Sequence, residues 1–160
     1  RLMIDKEDIK HMEEALKEAN KALLLDETPI GAVITMEGEI IARGHNRRNT
    51  DKNPLAHAEI IAINEAAKKV GDWRLEDCTL YVTLEPCPMC AGAIVQARIP
   101  KTVFGASSPK AGFAGSVMNI LQLEALNHQV DIVQGVMEEA CSQILKTYFR
   151  DMRIAHKKGR

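Results

Sequence analysis

Thr79-Leu80-Tyr81-Val82-Thr83-Leu84-Glu85-Pro86-Cys87-Pro88-Met89-Cys90 is the stretch from which the architecture is read. Thr79 to Leu84 is rich in β-branched and aromatic residues and reads as a strand. Pro88 opens a helix at the position where proline's fixed φ and missing N–H cost nothing, and this helix runs to about Ala97. Cys87 and Cys90 then stand at i and i+3 on its first turn, with both thiols on one face. A helix N-terminus favours negative charge, which lowers thiol pKa and prepares both as thiolates.

The same alternation continues on either side. Ile9, Met12, Leu16, Ala19 and Leu23 recur at spacings of three and four, one face of an amphipathic helix that ends before Pro29. Ile30 to Thr35 reads as a strand, Met36-Glu37-Gly38 as a tight turn and Glu39 to Arg43 as the returning strand of a hairpin. Gly44 to Pro54 is a polar loop carrying Arg47, Arg48 and Lys52. A helix follows from about Ala56 to Val70, with Ile60, Ile63, Ala67 and Val70 inward and Gly71 as its stop. Beyond the dithiol helix come a short strand at Thr102 to Phe104, a loop from Gly105 to Gly115, a short helix near Val117 to Leu123, a strand near Val130 to Val133 and a helix from about Met137 to Ala155. Helix, hairpin, then alternating helix and strand predicts an α/β fold: a mixed sheet covered by helices on both faces.

The chain has 160 residues, for which one domain spanning 1–160 is expected. Apolar residues at 46% and charged residues at 27% are ordinary for a soluble globular protein. No apolar run approaches the roughly 20 residues of a membrane span, and the acid-rich, helical N-terminal stretch does not read as a secretory leader. The net charge of -1 is unevenly spread. Residues 148–160 hold Arg150, Arg153, Lys157, Lys158 and Arg160 against Asp151 alone, so a basic tail follows an acidic body. Such a tail is either a solubilising end or a nucleic-acid contact. Of four cysteines, Cys78 and Cys141 sit singly in apolar surroundings and read as buried. Cys87 and Cys90, without a secretory signal, point to metal or redox chemistry rather than a disulfide framework.

A second motif, His57-Ala58-Glu59, narrows the choice. Taken alone, Cys-Pro-Met-Cys fits a glutaredoxin-type redox pair as well as a metal site. A redox domain has no use for the added histidine and carboxylate. A structural zinc needs a fourth protein ligand, and His45, His128, His156, Cys78 and Cys141 lack paired ligand spacing. His57, Cys87 and Cys90 supply three zinc ligands and leave the fourth position open, as in catalytic sites. Two thiolates neutralise the zinc charge and acidify its water less, so a nearby general base becomes useful, and Glu59 is placed to be one.

These motifs match the zinc-dependent deaminase signature. Thr28-Pro29-Ile30-Gly31-Ala32-Val33, Gly44-His45-Asn46-Arg47, Trp73-Arg74-Leu75, Leu80 to Glu85, Val103-Phe104-Gly105-Ala106, Met118-Asn119, Asn127-His128 and Tyr148-Phe149-Arg150 extend the likeness over nearly the whole chain. The sequence resembles the bacterial tRNA-specific adenosine deaminases of the cytidine deaminase superfamily. The resemblance implies a three-layer α/β/α cytidine-deaminase-like fold on a five-stranded mixed sheet, a homodimer in the cytoplasm, one Zn2+ per chain and a tRNA anticodon stem-loop as partner. It implies conversion of the wobble adenosine to inosine, a zinc-bound water attacking C6 with Glu59 as proton shuttle. Asn46 is expected on the flipped base or its ribose, the backbone of Ala58 and Pro86 along its edge, and Lys110, Phe149, Arg150 and Arg153 on the anticodon loop. Family members often carry an acidic residue where this chain has Ser108, whose hydroxyl can still bond a ribose hydroxyl. Without the resemblance, Asn46 is a turn residue, Lys110 a solvated lysine and Phe149 a core aromatic. A guanine or cytosine nucleobase or nucleotide deaminase shares the zinc motif and is the alternative, and a non-catalytic RNA-binding module with structural zinc is a further one. Dimerisation is also expected from apolar surface at Ile94 and Val95.

Overall fold

The computed structural model describes residues 3–159; Arg160 of the basic tail lies outside the described residues. Helix α1, Lys6–Leu24, starts where the Asp5 carboxylate accepts from the Asp8 N–H (2.9 Å) and the Asp8 carboxylate accepts from the Asp5 N–H (3.1 Å). Strands β1, Gly31–Met36, and β2, Glu39–His45, are joined through Glu37 and Gly38, whose φ angles of 53° and 79° turn the hairpin tightly. Helix α2, Ala58–Val70, ends at left-handed Gly71. Then follow β3, Cys78–Leu84; α3, Pro88–Gln96; β4, Lys101–Ala106; a 3-10 turn at Ile120–Gln122; β5, Asp131–Gln134; and α4, Glu138–Lys158.

The five strands lie in the order β2-β1-β3-β4-β5. β1 is antiparallel to both β2 and β3, whereas β3, β4 and β5 run parallel. The mixed sheet expected from the alternation is therefore present. Its two faces are covered separately, because successive strand side chains point in opposite directions. Ala32, Ile34, Leu80, Val82 and Phe104 pack with Ala58, Ala62 and Ala66 of α2 and with Ala91, Ile94 and Val95 of α3. Val33, Tyr81 and Val103 pack with Met12 and Ala15 of α1 and Cys141 of α4. The architecture is the three-layer α/β/α sandwich.

Several local readings are corrected. The short helix expected near Val117 to Leu123 is reduced to the 3-10 turn at Ile120–Gln122. α2 begins at Ala58 rather than Ala56, and α4 continues to Lys158 rather than Ala155. On α1, Ile9 and Leu23 are exposed while Asp8, His11 and Glu18 are buried. Asp8 and Glu18 find partners, while the buried His11 Nδ1 has none among the described residues: Lys101 lies 3.4 Å from Asp8, and Glu18 meets Lys21 (2.7 Å), Arg43 (3.3 Å) and His45 (3.3 Å). On α2 the buried face is Ala58, Glu59, Ala62 and Ala66, and Val70 is exposed. Ile94 and Val95, expected as free dimer surface, are buried in the core between α3 and the sheet.

Two glycines set the layer spacing. A Cβ on Gly31 would collide with the Ala15 carbonyl oxygen and Ala19 nitrogen of α1, and a Cβ on Gly44 would collide with the Ala58 carbonyl oxygen of α2. Both obstacles are backbone, so neither can step aside. Gly31→Ala is expected to push α1 off the sheet and cost about 3 kcal/mol. Thermal unfolding should report this as a drop of roughly 6–12 °C, and an unchanged midpoint would contradict the close approach.

Candidate active site

His57 is the N-cap residue of α2 and Cys87 the N-cap residue of α3, each with extended backbone, and neither side chain caps its own helix. Both side chains turn to a common point instead. His57 Nδ1 lies 3.6 Å from Cys87 Sγ and 3.6 Å from Cys90 Sγ, and the three donor atoms all fall within 4.8 Å of one another. Among the described residues no fourth His, Cys, Asp or Glu joins this group, which could hold a metal ion. Cys90, one turn into α3, is fully buried; His57 and Cys87 are half-buried.

The donors share protons unevenly. The Cys90 thiol donates to Cys87, and with the His57 imidazole it brings Cys87 down to about 4. Cys90 is correspondingly pushed up by that hydrogen bond and by burial. His57 is raised by its bond to Cys87. One site thus holds thiolate charge at the start of two helices, where the peptide dipoles favour it.

Glu59 stands two residues after His57, on the buried side of α2, and is 4% exposed. Burial raises its carboxyl to about 7, and the charge of Cys87 adds to the effect. It lies beside the donor group, in contact with Cys90, without being part of it.

The group sits in a cleft of about 380 Å³. Asn46, His57, Ala58, Glu59, Cys87, Ser108 and Phe149 all line it, together with Thr28, Ile30, Arg48 and Ala111. Asn46 is buried, its Nδ2 donating to the Thr28 carbonyl (3.2 Å) and its Oδ1 accepting from the Arg48 N–H (3.2 Å). Phe149 is 47% exposed at the rim and edge-on to Tyr148, which corrects the core-aromatic reading. Pro86, Lys110, Arg150 and Arg153 do not line the cleft. The Pro86 carbonyl already accepts from the Phe113 N–H (2.8 Å). Lys110 is exposed on the loop after β4, while Arg150 and Arg153 lie on the last turns of α4, where every described residue from Phe149 onward is exposed.

Two further residues shape the cleft and were not expected from the sequence. Glu27, 1% exposed, accepts from the Asn49 (3.2 Å) and Thr50 (2.6 Å) N–H groups and so holds the loop after β2. Glu85, 3% exposed, accepts from the loop after β4. Burial alone would raise both carboxyls, but the Thr50 and Asn49 N–H groups hold Glu27, and the Ser116 hydroxyl with the loop N–H groups holds Glu85, below the ordinary range. Glu85 falls in the Leu80 to Glu85 segment of the resemblance without a role of its own there, and acids without an adjacent cation read as surface residues.

A sequence profile described as MafB19-like deaminase matches residues 5–153. The tRNA-specific adenosine deaminase of Bacillus subtilis strain 168 is 54% identical over 154 residues, covering 96% of each chain. That of Haemophilus influenzae is 46% identical over 147 residues, covering 91% of this chain and 85% of its own. A solved structure from work on A-to-I editing by tRNA:A34 deaminases at the wobble position of transfer RNA superposes with a TM-score of 0.82 at 43% identity, covering 85% of this chain and 99% of that one. A guanine deaminase from Nitrosomonas europaea shares the fold at TM-score 0.72 and 23% identity, covering 92% of this chain and 86% of its own.

The purified protein is expected to carry one divalent metal ion per chain, measured by elemental analysis. Cys90→Ala removes the most buried donor and should weaken metal binding by more than roughly 100-fold; a stoichiometric ion retained in that variant would exclude the three-donor site.

Proposed function

This chain belongs to the tRNA-specific adenosine deaminase family, and from that premise we propose that it converts adenosine to inosine by hydrolysis at the wobble position of a tRNA anticodon. The observation that carries the reading is a buried carboxylate, Glu59, beside a donor group of His57, Cys87 and Cys90 at the floor of a cleft.

The proposed metal is zinc, held by His57, Cys87 and Cys90. The donor set of one imidazole and two thiols suits it. The 3.6 Å separations of nitrogen from sulfur also fit the edge of about 3.5 Å expected for tetrahedral zinc with ordinary bond lengths. When bound, the ion supplies Lewis acidity and activates water toward C6 of the purine. Glu59 accepts one proton of the attacking water and passes it to N1; it then takes the proton of the hydroxyl formed at C6 and gives it to the leaving nitrogen as the C6–N bond breaks. Water and adenosine thereby give inosine and ammonia. A carboxyl raised to about 7 is matched to both halves of that transfer near neutral pH.

Around this centre, Asn46 and Ser108 are proposed to hold the ribose side of the nucleotide, and the backbone at Ala58 and Pro86 its edge. Phe149 offers an exposed ring at the rim on which a base can stack. Lys110, Arg150 and Arg153 are proposed to contact anticodon-loop phosphates from the exposed rim and the α4 arm. The unit of action is proposed to be a homodimer in the cytoplasm. With Ile94 and Val95 in the core, the apolar side chains available for an interface include Leu55, Val117 and Met118, all exposed. No helix is long and apolar enough to cross a membrane among the described residues.

The deciding assay is inosine formation in an anticodon stem-loop with adenosine at the wobble position. Turnover of free guanine or cytosine, with the RNA untouched, would replace this reading by a nucleobase deaminase. Glu59→Ala should lose roughly 10²–10⁴ in turnover while keeping its metal. Inosine made at the unaltered rate by that variant would remove Glu59 from the mechanism. Solution mass measured by light scattering should be twice the 17.7 kDa of one chain.

A further inference from the structure

Glu85 follows the last residue of β3, precedes Pro86 and the ligand Cys87 and itself lines the cleft, yet its carboxylate is engaged by the loop after β4. It accepts four hydrogen bonds: Oε1 from the Ser108 N–H (3.0 Å) and the Ser116 hydroxyl (2.5 Å), Oε2 from the Ala114 N–H (3.0 Å) and the Ser116 N–H (3.0 Å). All four donors belong to the loop that leaves β4, and that loop supplies Ser108 and Ala111 to the cleft wall. The neighbouring Pro86 carbonyl takes the Phe113 N–H of the same loop. The loop also closes on the carboxylate sterically, since a Cβ on Gly112 would run into it. Glu85-Pro86 thus ties the substrate wall, at both of its ends, to the backbone that continues into Cys87 and Cys90.

We propose that Glu85 is a positioning residue of the deaminase: it fixes the Ser108–Ala111 wall against the metal-bearing helix and so sets where the nucleotide's ribose is held above Glu59. The proposal rests on the function given above. The chemistry demands a carboxylate. Four donors converge on one group, and only a side chain with two acceptor oxygens and no donor satisfies them all. Glutamine keeps the size but turns an NH2 toward donors, leaving buried N–H groups opposed.

The test compares Glu85→Gln with the unaltered zinc-loaded enzyme. Metal content should stay at one per chain. Amide exchange should rise roughly tenfold or more at Ser108, Ala114 and Ser116 and remain unchanged in β3 and α3. The KM for the stem-loop should rise roughly tenfold, with kcat falling far less. Gly112→Ala presses on the same carboxylate from the loop side and should give the same split, and the double variant should be no worse than the weaker single one. Exchange unchanged in the loop, equal loss in kcat and KM terms, or exchange rising through the whole sheet with loss of metal would each overturn the assignment. If the unaltered enzyme makes no inosine, the functional reading fails instead, and the exchange measurement still decides whether Glu85 holds the loop.

Discussion

Two helices beginning at one point is the constraint on which the rest of the structure depends. His57 and Cys87 occupy the N-cap positions of α2 and α3, and both forgo capping to direct a donor atom at the shared centre. Helix starts favour negative charge, so the Cys87 thiolate sits there at low cost, while Cys90, expected as a second thiolate, is held protonated by its bond to Cys87 and by burial. Bringing both starts together forces α2 close onto the β1–β2 hairpin. The close approach explains why Gly44 faces the Ala58 carbonyl and why the buried stripe of α2 is made of alanines rather than of the larger Ile60 and Ile63. The small residues are the packing consequence of the chemistry at the helix end.

Three buried glutamates near this centre show how environment divides one residue type into different tasks. Glu27 and Glu85 are surrounded by backbone N–H donors and stay anionic, anchoring the two loops that wall the cleft. Glu59 is as deeply buried, but it meets its own backbone N–H and the Cys90 thiol rather than a row of loop donors, and burial raises its carboxyl to about 7. The first two have no reason to exchange a proton near neutral pH; the third does. Burial alone therefore does not mark a proton carrier. The count of donors facing the carboxylate does.

The legible parts of this chain were the ones written in local spacing. The i, i+3 dithiol behind a proline, the His-x-Glu pair and the strand–helix alternation all lie within short windows, and all are found in the fold. The inward face of α1 is not legible in sequence because Asp8 and Glu18 are buried against Lys101, Arg43 and His45, partners supplied by strands distant in sequence. Hydropathy assigns such acids to solvent and moves the inward face toward Ile9 and Leu23, which are exposed. Ile94 and Val95 were placed on the surface for a related reason: a short apolar helix does not declare how many of its sides are covered. The roles of Glu27 and Glu85 are not legible in sequence because their partners are mostly backbone N–H groups, which leave no trace in residue identity.

The distribution of charge bears on how an RNA would meet this surface. Cations of the C-terminal stretch, Arg150, Arg153, Lys157 and Lys158, sit on turns of α4 that are exposed on every side and extend from the cleft rim at Phe149. The rest of the chain is acidic in balance. A polyanion is attracted to the arm and repelled by the body, so its approach is directional before any base is read. Phe149 lies where the attractive arm meets the cleft, and an unstacked base delivered there is already beside Asn46 and Ser108. A free nucleobase carries no phosphate and gains nothing from such an arrangement. The arm is thus a feature that an RNA substrate would use and a free nucleobase would not, whereas the metal donors and Glu59 would serve both equally.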